Sequence, residues 1–76
     1  MNFDTLDMLY DTYEEYKEAV LAKLSRMEED ITISDEAYSD FEEAVYNVLP
    51  ETKYALDESN DIDYINSLLD ELYDLL

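Results

Sequence analysis

Seventy-six residues with 22 acidic and four basic side chains, a net charge of −18 and 47% hydrophobic content describe one acidic domain, residues 1–76, apolar enough to fold despite its charge. Glycine, histidine and cysteine are all absent, which excludes phosphate-cradling loops, dinucleotide fingerprints, glycine hairpins, disulfides, tetrahedral zinc and the usual nucleophile–base pairs. The charge repels nucleic acid and anionic membranes and attracts basic surfaces.

The segment Met1–Asp4 lacks the basic and apolar regions of a signal peptide, and no apolar run could span a membrane, so a cytoplasmic protein is expected. Asn2 or Asp4 is read as the cap of a first helix near residues 4–28. Leu6, Leu9, Tyr13, Tyr16, Val20, Leu24 and Met27 form its apolar stripe. Asp4, Asp7, Asp11, Glu14 and Glu18 form a second stripe at helical spacing, offset by about 200°. Lys17, Lys23 and Arg26 lie toward the C-terminal half, where cations suit the helix dipole.

The stretch Glu28–Ser34 breaks the pattern. Its β-branched residues Ile31, Thr32 and Ile33 predict an extended connector. Ser34 is a helix cap, with Asp35 and Glu36 in the favourable first turn. A second helix over 35–48 should turn Tyr38, Phe41, Ala44, Val45 and Val48 inward and Glu36, Asp40 and Glu43 outward. Pro50 is expected to end it, because the residue before proline avoids the helical region. Proline can also open the following segment, so a short fourth helix is read over Glu51–Asp57.

Ser59 or Asn60 should cap a last helix near residues 61–75. Ile62, Ile65, Leu69, Leu72 and Leu76 form its apolar stripe, broadened by Leu68 and Leu75, while Asp63, Asp70 and Asp74 lie opposite. The expected fold is therefore all-α, a small bundle of three main helices with a short fourth. The leucines of the last helix exceed what a small bundle needs to bury, which leaves room for a homodimer.

No constellation supports catalysis, a metal or another cofactor. Asp57, Ser59, Asp61 and Asp63 alternate like the front of a calcium loop, but Ile62 stands where its glycine belongs and Leu68 where its bidentate acid belongs. Paired carboxylates occur throughout, so no single pair stands out as an acid–base couple. The eight tyrosines divide differently. Tyr13, Tyr16 and Tyr38 fall on core stripes. Tyr10, Tyr46, Tyr64 and Tyr73 flank them, where a ring beside carboxylates suits a basic partner.

The imbalance is uneven: residues 1–26 carry a net −3 and residues 27–76 a net −15. In size, acidity, tyrosine content and lack of glycine the chain resembles the DNA-mimic inhibitors of phages and mobile elements. These include uracil-DNA glycosylase inhibitors, anti-restriction proteins and anti-CRISPR proteins. Glu29-Asp30-Ile31 is similar to the acid–polar–isoleucine segment by which some glycosylase inhibitors enter the DNA cleft. The resemblance implies carboxylates in place of phosphates and a host nucleic-acid-binding protein as partner. The expected contact residues are Glu29, Asp30, Asp35, Glu36, Asp40, Glu43, Tyr46, Asp63, Tyr64, Asp70 and Asp74. An immunity protein or antitoxin against a basic toxin, or a homodimeric interaction module, would use the same features.

Overall fold

The computed structural model describes residues 3–59 and 61–76, folded into three α-helices: α1 (Phe3–Glu29), α2 (Asp35–Glu58) and α3 (Ile62–Asp74). Among these residues there is no strand, so the all-α expectation holds. Asn2 and Asn60, two of the expected caps, lie outside the described residues.

The apolar stripe of α1 does what its spacing predicts. Tyr13, Val20 and Leu24 are buried, and Leu6, Leu9, Tyr16 and Met27 are half-buried. The connector differs from expectation, forming a tight turn rather than an extended segment. Asp30 explains this: its carboxylate accepts from the Thr32 backbone N–H at 2.9 Å and from the Thr32 hydroxyl at 2.6 Å. The Asp30 carbonyl also accepts from Ile33 N–H at 3.2 Å. A short polar side chain that closes on its own backbone two residues on outcompetes β-branched preference.

Ser34 caps α2 as expected, its hydroxyl accepting from Ala37 N–H at 3.1 Å. The end of α2 does not follow expectation: the helix runs through Pro50 to Glu58, and the fourth helix is simply its C-terminal half. Burial on both sides of the proline is the reason. Val45 and Leu49 before it, and Thr52, Ala55 and Leu56 after it, all enter the core. Breaking the helix would forfeit roughly 1.5–3 kcal/mol for each large apolar side chain lost from the core, comparable in one residue to the ~3 kcal/mol cost of a mid-helix proline. Pro50 itself is exposed, so the carbonyl of Tyr46, deprived of its ordinary donor, lies on the wet side. Nearby carbonyls gain side-chain donors: Thr52 Oγ1 donates to Val48 O at 2.7 Å, and Tyr13 Oη to Leu49 O at 3.4 Å.

Asp61, rather than Ser59, caps α3 by accepting from Tyr64 N–H at 3.1 Å. Ser59 serves one step earlier, accepting from Asp61 N–H at 3.1 Å. At the other end, Lys23 of α1 donates to the carbonyls of Leu75 (2.8 Å) and Leu76 (3.2 Å) and lies 4.9 Å from the Phe41 ring centre. One lysine thus ties the ends of all three helices together.

Each helix packs on both others, giving a rod of 47 × 16 × 15 Å between Cα extremes. Val20, Val45, Thr52, Ile65 and Leu72 are its fully buried centre. Leu68, Leu69 and Leu72, which had made up most of the apparent surplus, are covered within the chain; Leu75 is half-buried and Leu76 exposed.

Candidate functional site

With the apolar stripes turned inward, the acids have only the surface left. Glu29, Asp30, Asp35, Glu36, Asp40, Glu43, Asp63, Asp70 and Asp74 are all exposed, as are Tyr46 and Tyr64. They do not form one patch. Asp30 and Asp35 line the same shallow depression at the α1–α2 turn, beside Met27, Ile33 and Tyr38. The up-down-up topology brings the C-terminal end of α3, with Asp74, to this end of the rod. Asp63 and Tyr64 lie at the opposite end, where the Tyr64 hydroxyl donates to Glu51 Oε1 at 3.1 Å. Between the ends, Glu36, Asp40 and Glu43 run along the outside of α2.

The cations do little to offset this surface. Lys23 is committed to the end of α3. The single cation of α2, Lys53, pairs with Asp57 at 3.1 Å, the sole ion pair among the described residues, and lies 5.8 Å from the Tyr10 ring centre. Its ammonium is held above the usual lysine range, first by the bond to Asp57 and then by Tyr10. Among the described residues, no three carboxylates converge as metal ligands. No helix is long and apolar enough to cross a membrane.

Three tyrosines titrate above the ordinary range. Burial pushes Tyr13 up, helped by the charge of Glu14. Desolvation also raises Tyr38, followed by the charges of Glu28 and Glu42. For Tyr64 the bond to Glu51 comes first. Asp30 moves the other way, held below the usual carboxylate range by the Thr32 hydroxyl and then by the Thr32 backbone N–H. The turn is therefore built on a charged Asp30.

Ile31, named above only within the connector and the segment similar to glycosylase inhibitors, and Tyr54 are exposed apolar residues absent from the expected contact residues. Ile31 is 98% exposed at the tip of the α1–α2 turn, between Glu28, Glu29 and Asp30 on one side and Asp35 and Glu36 on the other. A β-branched residue amid five acids was a readable signal. Tyr54 is 70% exposed on α2. It was missed because α2 was expected to stop at Pro50; in one continuous helix Tyr46, Pro50 and Tyr54 fall on one face at intervals of four. No family model, curated protein or solved structure matches this chain.

Proposed function

We propose that this protein occupies the basic nucleic-acid-binding groove of a nucleic-acid-binding protein or nuclease, acting as a DNA- or RNA-mimic inhibitor. The observation that carries this reading is its linear charge density. The described residues hold the whole net charge of −18, because Met1, Asn2 and Asn60 carry no charged side chain. Over the 47 Å axis this is one net charge per about 2.6 Å, between the 1.7 Å of duplex DNA and the 3.4 Å of one of its strands. A groove spaced for phosphates meets a rigid rod of comparable charge, and the exposed rings and Ile31 supply apolar anchors that nucleic acid lacks. The carboxylates accelerate encounter and the anchors lengthen the complex's lifetime.

The test begins with capture of a target from host lysate at low salt and its elution in a salt gradient. The isolated target is then given its own DNA or RNA with and without this protein. Binding should be competitive and should weaken steeply with salt. A ternary complex in which the target holds its nucleic acid normally would overturn the proposal. The triple variant Glu36→Lys, Asp40→Lys, Glu43→Lys should slow association tenfold or more, while each surface change moves stability by only about 0.5 kcal/mol or less.

A further inference from the structure

The outer face of α2 changes character along its length. Its N-terminal half presents Glu36, Asp40 and Glu43, and its C-terminal half presents Tyr46, Pro50 and Tyr54, with Tyr46 58% and Tyr54 70% exposed. Each ring has an exposed carboxylate one turn away, Glu43 three residues before Tyr46 and Glu58 four residues after Tyr54. On a helix such neighbours stand about 5–6 Å apart. The two ring–carboxylate pairs flank Pro50, with Tyr46 and Tyr54 separated by about 12 Å of helix axis. The proline adds a third feature, since the Tyr46 carbonyl between the rings has no N–H from residue 50 to accept.

An aromatic face, a carboxylate beside it and a spare carbonyl form a receptor for a planar cation. A guanidinium can stack on the ring while its N–H groups fork onto the carboxylate, and five donors leave one for the carbonyl. An ammonium is a compact, strongly hydrated point charge that can satisfy one of these features at a time. We propose that the outer face of α2 is an arginine-reading surface, with Tyr46/Glu43 and Tyr54/Glu58 as two guanidinium clamps on either side of Pro50. The occupant is an arginine-bearing segment of a basic partner. Charge complementarity supports it: the one cation of α2, Lys53, is already paired with Asp57. An extended strand spans the same 12 Å or so in about four residues, so arginines at that interval reach both clamps. The inference rests on the proposed binding of a basic protein and adds which cation is chosen.

Labelled nona-arginine and nona-lysine, equal in charge, are titrated into the full chain by fluorescence anisotropy at low salt. Nona-arginine should bind at least about fourfold more tightly, since stacking a guanidinium on each of the two rings contributes roughly two- to fivefold. The double variant Tyr46→Ala, Tyr54→Ala should reduce that ratio to about twofold or less, whereas Tyr46→Phe, Tyr54→Phe should keep it. Tyr73→Ala should leave it unchanged, because that ring packs against Tyr16 at 5.5 Å, away from α2's outer face. The substituted side chains are exposed, and an unchanged melting temperature verifies folding. A ratio near one in the unaltered protein, or a ratio that survives the alanine variant, overturns the arginine surface while leaving acid-driven binding intact. Failure of both peptides to bind overturns the charge-based reading as well.

Discussion

At the scale of single residues, Pro50 and Tyr13 give opposite kinds of test. Pro50 sits inside α2 without an N–H to give, and buried residues stand on either side of it, Val45 and Leu49 before and Thr52, Ala55 and Leu56 after. Pro50→Ala should therefore stabilise the protein, by about 1–3 kcal/mol, because the Tyr46 carbonyl regains a donor and the ring's steric conflict disappears. Denaturant unfolding checks this, and a loss of stability would mean that Pro50 supports α2 rather than opposing it. Tyr13 reports on pH. Its folded pKa lies above the ordinary value of about 10, so its contribution is complete below that value and is lost as pH rises through the folded pKa. Tyr38 and Tyr64 are shifted in the same direction. Melting temperature should fall above about pH 10, and Tyr13→Phe should lessen the fall at about pH 11 while costing about 1 kcal/mol or less at neutral pH for its bond to Leu49.

At the scale of elements, α3 is the shortest helix and the most completely used. Asp61 closes its start, and Ile65, Leu68, Leu69 and Leu72 enter the core. Its last turn contains no cation of its own, and Lys23 of α1 supplies one from outside. Lys23→Met should keep the aliphatic packing but release the Leu75 and Leu76 carbonyls, costing about 1 kcal/mol. Amide hydrogen exchange should accelerate in the last turn of α3 and not in the middle of α2. Uniform acceleration through all three helices would instead mean that Lys23 supports the bundle as a whole. Ile65→Ala is the contrasting case: a fully buried side chain at the bundle's centre, whose loss should cost about 2–5 kcal/mol and loosen every helix.

At the scale of the whole molecule, the charge sets the behaviour. A net −18 on a 47 Å rod, with one ion pair among the described residues, leaves repulsion far in excess of attraction. Raising sodium chloride from about 0.01 M to 0.15 M shortens the screening length from about 30 Å, well above the rod's 16 Å width, to about 8 Å, well below it. The melting temperature should rise across that range. A fall would mean that attractive pairs such as Lys53–Asp57 outweigh the repulsion. The same salt should weaken binding to a basic partner, so stability and affinity are expected to move in opposite directions.

The apolar stripes of α1 and α3, the Ser34 cap and the outward acids were legible in the sequence, because a 3.6-residue period and a capping side chain are local properties. The Asp30–Thr32 turn was local too, but it was masked by the β-branched run beside it. The course of α2 beyond Pro50 was not decided locally. Proline opposes a helix at its own position, and only the burial of Val45 and Leu49 on one side and Thr52, Ala55 and Leu56 on the other overcomes it. That tertiary outcome aligns Tyr54 with Tyr46 and the acidic row. It is also what creates a continuous outer face on α2. Composition by itself determined that the protein would be strongly anionic, and the apolar period that it would be helical; packing decided which residues share a face, because burial is a sum over contacts that no single segment contains.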